Sequence, residues 1–220
     1  MTRRLVQSAN GLIQYTRELI AQRRVQPQDD FLSTLVKAQA EKGHVTDDEI
    51  VANAMLILLA GHLAVRNLIG NAIYLLLTHP EQRNKLQSQP ELLANAIQEV
   101  LRYEPPVILI PRVATEDFEF HGQTIRNGQI VQLSIASANR DSDHFPESDR
   151  FDISRNASKA LSFGHGPHSC LGAVLAKQEA AIAIETLFRR MPNIRLDDSK
   201  PIKWYRNAGN RGPEVLPLVF

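Results

Sequence analysis

Cysteine is all but missing from this 220-residue chain: Cys170 is the only one. A single thiol cannot close an internal disulfide, so cysteine usage implies no oxidising compartment. Nor can it build a zinc site with scattered histidines, because zinc wants about four ligands at close spacing. Charge of one sign is missing as well. Lys and Arg total 25 against 24 Asp and Glu, a formal net charge of +1, so no polyanionic partner such as nucleic acid is expected. The N-terminus, MTRRLVQSANGLIQYTRELI, lacks the continuous apolar core of a signal peptide. The longest apolar stretch, Val51 to Val65, is interrupted by Asn53, Gly61 and His62 and reads as too short to span a bilayer. No internal repeat or low-complexity tract is visible. The expectation is a soluble, cytoplasmic protein with no membrane partner, long enough to bury a real core.

What is present is mostly helix. Leu5, Leu12, Ile13, Leu19 and Ile20 fall at helical spacing, and after the break at QPQDD a second helix runs from Phe31 to Glu41, ended by Gly43. Thr46-Asp47-Asp48-Glu49 is a capping box, and from there nothing but Gly61 interrupts a helix to about Thr78. Roughly thirty residues at about 1.5 Å each make a rod of about 45 Å. It is apolar nearly all round in its middle, which predicts a place through the centre of a domain. Pro80 and Pro90 suit first helical turns, and Pro105-Pro106 stops the second of these helices. From Phe118 to Leu133 the period changes to two, with HG and RNG as turns, which predicts small antiparallel strands. Residues 139–167 read as irregular. LGAVLAKQEAAIAIETLFRRM reads as a helix, and EVLPLVF as a closing strand. The fold class is mainly α with a minor antiparallel β component.

The cysteine lies in FGHGPHSCLG, residues 163–172, directly before that last long helix. A free cysteine is most often a small buried hydrophobe. It can instead be a nucleophile, for which His168 stands near enough to be the base, or a metal ligand. A helix start offers free N–H groups and a positive dipole end to a sulfur. Gly164, Gly166 and Gly172 let backbone approach something bulky and flat. One sulfur ligand to haem iron needs only one cysteine, a flat approach and amides aimed at the sulfur, and that chemistry fits best.

Phe163, Gly166, Cys170 and Gly172 resemble the Phe-x-x-Gly-x-x-x-Cys-x-Gly pattern of the cytochrome P-450 family, the haem-thiolate monooxygenases, in its soluble bacterial form. Glu99 and Arg102 in EVLR resemble the family's Glu-x-x-Arg pair. Arg150 in FPESDRF resembles the arginine that completes a salt-bridged network with it. The resemblance implies a haem b cofactor (iron protoporphyrin IX) with Cys170 as axial ligand and Phe163, Gly164 and Gly172 around it. It also implies that Arg112 and His168 bind the propionates, where guanidinium and imidazole donors neutralise carboxylates. His165 receives no role by this likeness. His62, His79, His121 and His144 carry no metal spacing.

Two departures qualify the likeness. Where such proteins read Ala-Gly-His-Glu-Thr-Thr beside the oxygen site, this chain reads AGHLAV: Gly61 and His62 match, while Leu63, Ala64 and Val65 replace an acid and two threonines. The acid and alcohol supply protons during oxygen activation, so that step should be impaired. The resemblance also covers only the family's C-terminal half, so residues 1–220 are expected to form one truncated haem domain. An uncovered apolar helix predicts self-association or a partner that covers the missing half. The activity implied is monooxygenation of a small organic molecule with electrons from a redox partner protein. The alternatives are a haem-thiolate enzyme that does not activate O2 (peroxide-using, or a dehydratase, isomerase or cyclase) and a non-catalytic haem-binding or scaffold subunit.

Overall fold

A computed structural model describes residues 3–43, 45–205 and 207–220, which form two compact units, 1–62 and 63–220. In the first, α1 (Arg3–Val25) and α2 (Phe31–Lys42) pack with the opening turns of α3 (Asp47–Thr78). Their core is Ile20, Ile50 and Val51, with Leu32, Leu35 and Val36 against it. The ends follow from local chemistry. Asp30 caps α2 by accepting from the Ser33 amide at 2.7 Å, and Gly43 closes it with φ +65°. The capping box forms as expected: the Thr46 amide donates to Glu49 Oε2 at 2.7 Å and the Glu49 amide to Thr46 Oγ1 at 3.3 Å.

The middle of α3 departs from expectation. Leu56, Ile57, Leu58 and Leu59 are all exposed, Leu56 at 63%, so these turns are not in the centre of a core. An all-round apolar helix needs protein on every side, and the middle of α3 does not have it. The length expectation also changes. Val51 to Val65 belongs to a 32-residue helix that is long and apolar enough to cross a membrane, by length and composition alone. Its second half, however, is built into protein: Leu68, Ala72, Leu75 and Leu76 are buried in the core of the second unit.

That second unit assembles α3 from Leu63 onward with α4 (Pro80–Ser88), α5 (Leu93–Tyr103) and α7 (Ala173–Arg190), the short α6 (Ile135–Ala138) lying between. On α5, Ala96, Ile97, Val100 and Leu101 repeat at helical spacing and pack with Ala180 and Ile184 of α7. Pro80 opens α4, and Pro90 opens a 3-10 turn ahead of α5. Among the described residues the sheets are four antiparallel pairs. β2 (Phe118–Phe120) and β3 (Gln123–Ile125) form the expected hairpin. β4 (Ile130–Ser134) pairs instead with β1 (Leu109–Val113), which the alternation rule does not pick out because Pro111 interrupts it. The single closing strand is in fact two, β7 (Pro213–Val215) and β8 (Leu218–Val219), pairing respectively with β6 (Lys203–Trp204) and β5 (Arg195–Leu196). Pro217 stands between them and has no N–H to continue a ladder.

Candidate functional site

The most heavily satisfied polar group in the second unit is the guanidinium of Arg102. Helical spacing puts Glu99 and Arg102 on one face of α5, and neither is exposed at all. Arg102 Nε donates to Glu99 Oε2 at 2.7 Å and Nη2 to Oε1 at 2.8 Å. Nη1 donates to the carbonyls of Asn139 (2.9 Å) and Ser148 (2.8 Å), and Nη2 also to that of Arg150 (3.2 Å). All five guanidinium N–H groups therefore have acceptors, which is what makes a fully buried ion pair tolerable.

The second arginine of this network differs from the expectation. Arg150 offers only its carbonyl, while its guanidinium is 58% exposed and turns to Glu147 and Asp152. Arg155 approaches Glu99 instead, Nε to Oε1 at 3.3 Å with the side chain 12% exposed. The Asp152 amide donates to the same oxygen at 3.0 Å. Both arginines lie in the one segment DRFDISR, where a turn closed by the Arg155 amide donating to the Asp152 carbonyl at 3.0 Å brings the second, not the first, to Glu99.

The Cys170 loop starts from that network. Phe163 is half-buried against the core, and Lys177 stands 5.9 Å from its ring centroid. The Phe163 carbonyl accepts from the Cys170 amide at 2.8 Å, closing the loop on itself. Gly164 (φ +72°) and Gly166 (φ +79°) take left-handed backbone, where a side chain would be strained. A 3-10 turn, Gly166–His168, leads to Cys170, whose thiol is exposed. α7 then begins after Gly172 with no side-chain cap. Among the described residues, the amides of Leu171 and Gly172 have no backbone acceptor, so the helix start has N–H groups to give.

Phe163, Gly164, His168, Cys170 and Gly172 are thus gathered on one loop. A Cβ on Gly164 would lie 3.7 Å from the His168 carbonyl, and one on Gly172 4.0 Å from Cys170 Sγ. His165 and His168 are exposed on it. Arg112, on β1, is exposed and donates only to the neighbouring Pro111 carbonyl at 2.9 Å, with no carboxylate partner among the described residues. Gly61 and His62 end the first unit, exposed; Leu63, Ala64 and Val65 open the second, half-buried. No group of three or more His, Cys, Asp or Glu that could hold a bare metal ion occurs among the described residues. Asn139, Ser162 and Arg155 are residues that sequence reasoning missed. Only Arg155 had a signal there, as a second arginine close behind Arg150.

Comparison with known proteins gives a consistent result. The sequence profile of the family described as Cytochrome P450 matches residues 1–203. The biotin biosynthesis cytochrome P450 of Bacillus subtilis (strain 168) is 46% identical over 208 residues, 94% of this chain and 52% of that protein. The vitamin D(3) 25-hydroxylase of Pseudonocardia autotrophica is 46% identical over 209 residues, again 94% and 52%. The crystal structure of P450BioI in complex with an acyl carrier protein ligated to hexadec-9Z-enoic acid superposes with a TM-score of 0.91 at 41% identity. It covers all of this chain and 57% of that one. The chain spans about half the length of the curated relatives it matches. With the buried Glu99–Arg102 pair and the Cys170 loop in place, the chain belongs to the cytochrome P450 family.

Proposed function

We propose that the chain forms the haem-thiolate part of a cytoplasmic monooxygenase acting on a small organic molecule, with haem b as cofactor and residues 1–220 as a portion of one haem domain. The observation that carries this reading is the exposed Cys170, whose backbone amide donates to the Phe163 carbonyl, at the uncapped start of α7. The residues fit the group: one sulfur ligand, backbone stripped of Cβ atoms at Gly164 and Gly166, and a guanidinium at Arg112 without an acidic partner. A bound haem supplies the redox chemistry, activating an oxidant at its iron. The protein's part is to hold and bias it. Cys170 would supply the sulfur ligand to its iron, the start of α7 would offer N–H donors to the sulfur's negative charge, and Arg112 and His168 would neutralise the propionates. A redox partner protein docks on the exposed Cys170 face to deliver electrons.

A second reading is favoured by Leu63, Ala64 and Val65, none of which carries a proton to give. On that reading the enzyme uses peroxide, or rearranges or dehydrates its substrate, and needs no proton delivery from α3. The exposed Leu56 to Leu59 turns support a covering surface in the active form, supplied by self-association or by polypeptide equivalent to the rest of the relatives' length. If nothing supplies it, the chain is a haem-binding or scaffold subunit.

Haem titration followed by the absorption spectrum of the reduced, carbon monoxide-bound protein tests the main reading. Wild-type protein should give the Soret band of sulfur-ligated haem and lose reactivity of Cys170 toward a thiol reagent. Cys170→Ser should give no such band. Wild-type protein that takes up no haem overturns the reading.

A further inference from the structure

We infer that Asn139 is the positioning residue that couples the buried Glu99–Arg102 pair to the loop carrying Cys170, an inference that rests on the haem site proposed above. Asn139 follows directly on α6 and is fully buried. Its carbonyl accepts from Arg102 Nη1 at 2.9 Å, so its backbone is fixed by the ion pair. Its carboxamide faces the other way, into the Cys170 loop. Oδ1 accepts from the Leu161 amide at 2.7 Å, and Nδ2 donates to Ser162 Oγ at 2.8 Å. Ser162 Oγ in turn donates to the Leu101 carbonyl of α5 at 2.6 Å.

These bonds act on a turn that ends at the ligand. The Leu161 carbonyl accepts from the Gly164 amide at 2.8 Å, closing a turn around Ser162 and Phe163. With both its amide and its carbonyl bonded, Leu161 sets where the Phe163 carbonyl points, and that carbonyl accepts from the Cys170 amide at 2.8 Å. The path from Arg102 to Cys170 is therefore one carboxamide, one turn and one amide bond. Only an amide side chain performs both halves, because the site needs an acceptor for Leu161 and a donor for Ser162 at once. An aspartate keeps the first and loses the second. A hydrophobic residue loses both and leaves the Leu161 amide without its acceptor.

Amide hydrogen exchange resolved to single residues, on haem-free protein, tests the coupling without any activity. In Asn139→Ala the Leu161, Gly164 and Cys170 amides should exchange about tenfold faster, while those of Leu75 and Ile184 in the core keep wild-type rates. Ser162→Ala removes both bonds of the Ser162 hydroxyl but keeps the Asn139 bond to the Leu161 amide, and should move the same three amides by less. It also serves if Asn139→Ala fails to fold. On haem-loaded protein, both variants should bind haem yet show a reduced carbon monoxide band shifted away from the sulfur-ligated form. An unchanged Cys170 amide in both variants overturns the inference, as does an acceleration spread equally over Leu75 and Ile184. Wild-type protein without haem affinity defeats the haem reading instead, and the exchange result then stands alone.

Discussion

Arg155 reaches Glu99 with Nε 3.3 Å from Oε1, while Arg150, five residues earlier, sends its guanidinium to Glu147 at 3.0 Å on the surface. The two arginines therefore differ in what their loss leaves behind. Arg155→Ala strips a charged donor from a buried carboxylate and should cost about 1–3 kcal/mol. Arg150→Ala removes exposed ion pairs and leaves its carbonyl in place for Arg102, so it should stay within about 0.5 kcal/mol. Urea unfolding of the two variants decides the matter. Equal losses would place Arg150 inside the network after all.

The pair at the centre of that network should be far more sensitive. Arg102→Leu leaves Glu99 charged in a fully buried site, and it also orphans the carbonyls of Asn139, Ser148 and Arg150. A loss of about 3–5 kcal/mol is expected, as for other buried pairs broken on one side. Arg102→Lys should recover little, since one ammonium cannot supply five donors in a planar fork. A lysine variant with wild-type unfolding midpoint would contradict the geometry.

How far these features could be read from sequence depends on how local they are. The capping box at Thr46 and Glu49, the stop at Gly43 and the helix starts at Pro80 and Pro90 are decided within a few residues, and each stands where the sequence places it. The Cys170 loop was legible for the same reason, its fixed residues lying within ten positions. Arg155 was not, because its partner Glu99 is 56 residues away and an exposed-looking DRFDISR gives no sign of which arginine turns inward. Asn139 was invisible for a related reason: a lone polar residue after a four-residue helix is ordinarily a solvated one. β1 escaped because Pro111 breaks its pattern, and only pairing with β4 makes it a strand. The central placement of α3 failed because periodicity reports how apolar a helix is and not what covers it.

The first unit should respond to acid. Asp30 is held down to about 2, chiefly by the Ser33 amide and then by Arg23; Asp47 is held at about 2 by hydrogen bonds from Arg24 and Gln39. Both values lie below the ordinary 3.8, so the folded form favours the ionised carboxylates. The stabilisation is complete above the ordinary value and is lost as pH falls toward 2. Far-UV circular dichroism from pH 5 to pH 2 should show helix loss in that window, smaller in Asp47→Asn because one of the titrating contacts is already gone. Asp30→Asn should keep the cap on α2, since Asn also accepts from the Ser33 amide, and lose only the pairing with Arg23. An acid transition identical in all three proteins would assign the pH response elsewhere.

The last prediction concerns the stretch of α3 that departs from the family pattern. Leu63 and Ala64 stand where the resemblance places an acid and an alcohol, and neither can pass a proton. If the chain is a haem-thiolate enzyme fed by a reductase, wild-type protein should release much of its consumed reductant as hydrogen peroxide. Ala64→Thr, alone and with Leu63→Glu, restores the missing groups at a helix cost of about 0.7 kcal/mol per residue or less. Peroxide released per reductant consumed should fall, by up to about a hundredfold, the low end of what a placed proton donor contributes. The reduced carbon monoxide spectrum should not move, because neither substitution touches the Cys170 loop. Unchanged peroxide release in both variants, with haem bound, would mean that protons do not arrive through these positions and would favour the reading in which α3 takes no part in oxygen chemistry.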